Sequence, residues 1–123
     1  MTGAESYAYI VGMAELLGTF EQIILLGVAS LGDDAYGRAI LRTVQQAMQE
    51  TRSVTAGAVY ATLDRVERDG YLSSRLEPGT AARGGRARRY YRLTAEGAAA
   101  LIETRRALDK MWQGKRKLLE AMS

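Results

Sequence analysis

The chain has 123 residues, 47% of them hydrophobic and 25% charged, with a formal net charge of +3; it has room for one domain plus one extra element and leans mildly towards anionic partners. It holds no cysteine and no histidine, which excludes disulfides, Cys/His zinc sites, thiol nucleophiles and a histidine general base. No apolar run reaches membrane-spanning length and no signal-peptide pattern opens the chain, so a cytoplasmic protein without a membrane partner is expected.

Residues 1–15, mixed and Gly-rich, read as an N-terminal arm. Leu16 to Leu31 reads as a helix whose apolar residues cover more than one stripe, so it should be buried on two sides. Gly32-Asp33-Asp34 stops it, and either aspartate is placed to cap the next helix, Tyr36 to about Met48, which turns Ile40, Leu41 and Val44 inward. After a polar connection over residues 49–53, Ser53 or Thr55 caps a third helix running to Asp69. Val59, Leu63 and Val66 form its buried face, and Gly57, Ala58, Ala61, Arg65 and Arg68 lie opposite. Gly70 ends it.

The period then changes to two. Leu72 to Glu77 and Ala87 to Leu93 alternate as strands around Pro78-Gly79 and a Gly/Ala-rich loop, making a β-hairpin. Arg89, Tyr91 and Leu93 share one face and Arg88, Tyr90 and Arg92 the other, with Tyr91 expected in the core. Thr94 and Glu96 open a last helix expected to run to about Met122, with Leu101, Thr104, Leu108, Met111, Lys115, Leu118 and Met122 at 3–4 spacing and Gly114 as a local weak point.

Helix, helix, helix, hairpin, helix is the order of a winged helix-turn-helix: a mostly α fold with a small β-hairpin. Residues 16–93 form this domain, and residues 94–123 form a C-terminal dimerisation helix. A helix that enters the major groove needs an exposed face opposite its core stripe. The third helix offers Thr55, Gly57, Ala58, Tyr60, Ala61 and Arg65; its small residues allow close approach but carry little hydrogen-bonding code. Tyr60 is open to two readings, DNA contact or flank packing. The acids Asp64, Glu67 and Asp69 are potential partners of Arg65 and Arg68.

The hairpin carries the stronger electrostatic pattern. Arg83, Arg86, Arg88, Arg89 and Arg92 fall between Glu77 and Glu96 with no acid among them, a density that favours phosphate oxygens. Gly84-Gly85 lets the tip bend, so Arg83, Gly84, Gly85, Arg86, Arg88 and Tyr90 are the candidate DNA contacts of the wing. On the last helix, Leu108, Met111 and Trp112 fit either dimer packing or a platform for an aromatic effector. Without a phosphate-cradling loop or a carboxylate cluster, neither enzymatic activity nor any cofactor or metal is expected.

The stretches Leu31-Gly32-Asp33-Asp34-Ala35-Tyr36-Gly37, Gly57-Ala58-Val59-Tyr60-Ala61-Thr62-Leu63-Asp64-Arg65-Val66-Glu67 and Gly84-Gly85-Arg86-Ala87-Arg88-Arg89-Tyr90-Tyr91-Arg92-Leu93-Thr94 resemble the PadR family of bacterial transcriptional regulators. The resemblance covers about Leu17 to Met122. It implies a homodimer on a palindromic double-stranded DNA operator, usually as a repressor, in some members released by small aromatic or lipophilic compounds. The single C-terminal helix resembles the short subfamily. The other class of function left open is a winged-helix protein–protein adaptor, which would need an apolar patch on the third helix.

Overall fold

The first described helix, α1, spans Thr19–Leu31 in a computed structural model that describes residues 16–49 and 53–123. The N-terminal arm and the middle of the polar connection lie outside the described residues. Helix α1 starts later than the apolar pattern suggested. The Gly18 N–H donates to Glu21 Oε1 at 2.8 Å, so this local pairing sets the helix start and leaves Leu16 and Leu17 ahead of it. Ile24, Leu25 and Val28 point into the core while Leu26 is exposed.

Gly32–Asp34 is a 3-10 turn, and neither aspartate caps the next helix. The N-cap of α2, Gly37–Met48, is Tyr36, whose side chain makes no cap bond. Ala35 makes a tight turn (φ −84°, ψ 68°) closed by the Tyr36 N–H donating to Asp34 O at 3.0 Å, and Tyr36 is extended and pairs with the hairpin, which moves the helix start beyond reach of Asp33 and Asp34. Helix α2 buries Ala39, Ile40 and Val44, with Leu41 only half-buried. In α3, Ala56–Arg68, Thr55 is the cap: its Oγ1 accepts from Ala58 N–H at 3.1 Å. Val59, Leu63 and Val66 are fully buried, as their spacing predicted.

Strands β1, Leu72–Glu77, and β2, Arg88–Leu93, pair antiparallel from Leu72 with Leu93 to Glu77 with Arg88. Two further contacts dock the hairpin on the helices. Tyr91 N–H donates to Ala35 O at 2.8 Å, and Tyr36 forms an antiparallel bridge with Tyr90. Tyr91 and Leu72 are buried with the three helices, as expected for Tyr91, whereas Leu76 is exposed.

Helix α4 spans Ala95–Trp112. Its cap residue, Thr94, ties it to the turn after α3: Oγ1 donates to Gly70 O (2.7 Å) and accepts from Gly97 N–H (3.0 Å), and its own N–H donates to Tyr71 O (3.1 Å). Gly97 is there for space. A Cβ at this position would strike the Tyr71 carbonyl and come within 2.8 Å of Leu93 Cδ1.

Gly18–Ala98 form one compact unit, and Leu16–Leu17 with Ala99–Ser123 belong to another. In the second, the buried Thr104 accepts the Leu17 N–H at 3.0 Å, which accounts for a polar residue in the 3–4 seam. The single long helix expected to reach Met122 is broken. Helix α4 ends at Trp112 and α5, Lys115–Met122, follows. Gly114 between them has φ of 71°, a left-handed conformation that ends a helix and favours glycine. No helix among the described residues is long and apolar enough to cross a membrane.

The Gly97 packing makes a signed prediction. Helix propensity alone says that Gly97→Ala stabilises by about 1 kcal/mol. The close approach of Tyr71 and Leu93 reverses the sign, giving a net loss of about 1–3 kcal/mol. Urea unfolding followed by circular dichroism measures it, and a variant more stable than wild type contradicts the packing account.

Candidate nucleic-acid interface

Helix α3 presents Gly57, Ala58, Ala61, Arg65 and Arg68 to solvent, opposite the fully buried Val59, Leu63 and Val66. The candidate contacts on α3 divide between its two flanks. Thr55, Ala58, Ala61 and Arg65 line a cleft of about 520 Å³ with Phe20, Met48, Val54 and Thr62. Tyr60 lies on the other flank, 40% exposed. Its ring is close enough to Gly37 that a Cβ there would sit 3.3 Å from Tyr60 Cε1. It therefore packs on its inner side and remains open on its outer one.

Tyr60 shares a second cleft, of about 650 Å³, with the wing. Its lining holds Tyr36, Tyr91 and five arginines: Arg38 from α2, Arg83 and Arg86 from the loop, and Arg88 and Arg89 from β2. No aspartate or glutamate lines it. Four of the five wing arginines thus share one cleft with Tyr60 of α3. Arg92, paired across the hairpin with Ser73, does not line the cleft.

Neutral groups hold these cations. Arg83 donates from Nη2 to the Pro78 carbonyl and from Nε to Arg86 O at 3.4 Å, closing the loop around the 3-10 turn Ala81–Arg83. Gly84 and Gly85 follow with φ of 68° and 79°. The Gly/Ala-rich segment is therefore a built turn with Arg83 as its staple. Arg89 Nη1 donates to Ser74 Oγ at 3.1 Å, and Ser74 Oγ donates in turn to Glu67 Oε2 of α3, linking wing and helix. The Arg88 guanidinium carbon lies 3.9 Å from the centroid of the Tyr36 ring. Tyr90, a candidate contact from the sequence, lies between the Tyr36 ring, inclined to it at 58° with 5.7 Å between centroids, and the Arg75 guanidinium at 5.2 Å.

Arg65 has a partner other than its helix neighbours: its Nη2 lies 3.5 Å from Glu21 Oε2 of α1. This pair is exposed enough to contribute little to stability. Burial raises the Tyr91 phenol pKa, helped by the negative charges of Asp64 and Glu67, so its hydroxyl stays neutral at physiological pH. Sequence reasoning missed Tyr36, Arg38 and Arg42. Tyr36 stood out only as a helix start, although it lies within one of the three family-like stretches.

Leu108, Met111 and Trp112 belong to the second unit. All three are substantially exposed, as are Leu118, Leu119 and Met122 of α5. Leu108 and Trp112, four residues apart, share a helix face.

Three comparisons with known proteins bear on this site. A model of the transcriptional regulator PadR-like family matches residues 25–103. The transcriptional regulator Rv3488 of Mycobacterium tuberculosis is 48% identical over 58 residues, 47% of this chain and 50% of that protein; the match thus spans about half the relative's length. Among solved structures, a transcriptional regulator from Clostridium thermocellum is similar with a TM-score of 0.60 and 25% identity, over 79% of this chain and 89% of that one. A PadR-family transcriptional regulator from Eggerthella lenta is similar with a TM-score of 0.58 and 28% identity, over 79% and 80%. With a winged helix-turn-helix fold and a family match over most of its length, this chain belongs to the PadR-like family of transcriptional regulators, which are not enzymes.

Proposed function

We propose that the protein is a homodimeric DNA-binding repressor on a palindromic operator, with α3 in the major groove and the wing against the flanking backbone. The observation that carries this is the cleft beside Tyr60, lined by five arginines and no carboxylate. Phosphate oxygens are the natural counter-charge for such a lining. The small residues Gly57, Ala58 and Ala61 allow α3 to approach base edges, while Thr55, Tyr60 and Arg65 flank them. In the wing, Arg86 contacts backbone, Arg83, Gly84 and Gly85 shape the tip, and Arg88 and Tyr90 set its seat. A protein–protein adaptor is less well supported: Tyr60 is the one large apolar side chain exposed on α3.

Dimerisation is supported by the apolar residues that α4 and α5 leave in water. Met111 is 70% exposed, Trp112 52% and Met122 74%, a concentration that marks an interaction surface. We assign Trp112, with Leu108 and Met111, to packing against a second copy. Release by a small aromatic or lipophilic effector would use the same apolar surface. A cytoplasmic location accords with this role.

Two measurements test the proposal. In a gel shift, the protein retards a random-sequence duplex at low salt, and Arg86→Ala weakens binding to every duplex while flattening the slope of log K against log salt by about 0.9. No retardation at low salt contradicts DNA binding. For assembly, Met111→Glu combined with Leu118→Glu turns a sedimenting dimer into a monomer with its circular dichroism spectrum intact. A dimer that survives both charges shows that the subunits meet elsewhere.

A further inference from the structure

The five arginines of the wing cleft differ in how they are held. None is in an ion pair among the described residues. Arg83 is bound to two loop carbonyls and Arg89 to Ser74. Arg88 is half-buried with its guanidinium on the Tyr36 ring. Tyr36 is fixed from other directions too: its backbone bridges Tyr90, its ring meets the Tyr90 ring, and its hydroxyl accepts from Arg42 Nη2 at 3.0 Å. The Arg88 stack therefore ties the first residue of β2 to the N-cap of α2. The wing cannot swing away from α3 without losing it.

Arg38 and Arg86 are different. Both are exposed. The Arg86 side chain makes only a long 3.5 Å contact from Nε to Arg83 O, and the side chain of Arg38, two residues after Tyr36, has no hydrogen bond or ion pair among the described residues. Their charge is presented to the cleft without a competing acceptor of comparable strength. Resting on the DNA-binding reading above, we propose that the cleft divides its cations: Arg38 and Arg86 take backbone phosphates, whereas Arg88 is a positioning residue that pins the wing to Tyr36. This adds Arg38 to the interface and takes Arg88 out of the group that the sequence marked for phosphate.

The test is a salt titration of binding to a short random-sequence duplex, using the full chain and the variants Arg38→Gln, Arg88→Gln, Tyr36→Leu and Tyr36→Phe. Arg38→Gln flattens the slope of log K against log salt by about 0.9, the equivalent of one phosphate. Arg88→Gln and Tyr36→Leu each lower affinity about three- to tenfold with the slope unchanged. Combined, they lower it no further than either alone, because they break the same contact. Tyr36→Phe keeps the ring and stays within about twofold of wild type, and it carries the test if Tyr36→Leu does not fold. The division is overturned if Arg88→Gln flattens the slope by a full phosphate equivalent, if its effect multiplies with that of Tyr36→Leu, or if Arg38→Gln leaves the slope unaltered. Those outcomes, with a wild-type chain that binds and shows a salt slope, overturn the division alone. A wild-type chain that does not bind at low salt removes DNA binding and the division together.

Discussion

The seat of the hairpin on Ala35 and Tyr36 is the constraint on which the interface depends. Two strands joined by a long loop are marginal in water on their own. Here the Tyr91 N–H bonds to the Ala35 carbonyl, Tyr36 bridges Tyr90, and the Tyr91 side chain enters the core formed by α1, α2 and α3. The short Ala35–Tyr36 segment between two helices thus sets the start of α2 at Gly37, orders β2 and holds the wing beside Tyr60. The same segment explains why Asp33 and Asp34 do not cap α2.

That seat also makes the concentration of charge sustainable. Guanidinium groups crowded around one cleft repel one another, and no carboxylate in its lining offsets them. Carbonyls of the loop, the Ser74 hydroxyl and the Tyr36 ring hold three of them in place without neutralising them. Asp64 and Glu67 act on the buried Tyr91 phenol, and Glu67 accepts from Ser74. The result is a surface organised before any anion arrives, so that ordering the side chains costs less on binding.

Much of the fold was legible because its periods are clean. Val59, Leu63 and Val66 announced the buried side of α3, and the alternation of Arg89, Tyr91 and Leu93 placed Tyr91 inside. The apolar run that begins at Leu16 hid the start of α1, since the pairing of Gly18 with Glu21, rather than hydrophobicity, fixes it. Gly114 was visible as a weak point, but one glycine in a helical pattern does not reveal that it adopts a left-handed φ and splits the helix. The site was legible in its residue types and less so in its grouping. A run of arginines shows that charge is concentrated, yet only the tertiary structure separates Arg83, folded back on its own loop, from Arg86, and leaves Arg92 out of the cleft. Arg38 and Tyr36 stayed hidden because they lie some fifty residues before strand β2, whose arginines share their cleft.

Hydrogen–deuterium exchange with and without a DNA duplex tests the central claim most directly, because it reports which backbone amides become protected. Protection concentrated in Ala56–Arg68 and in the hairpin from Ala81 to Leu93, with Gly37–Ala39 following, is the result this account predicts. Protection confined to other elements while α3 and the wing exchange as in the free protein would contradict it.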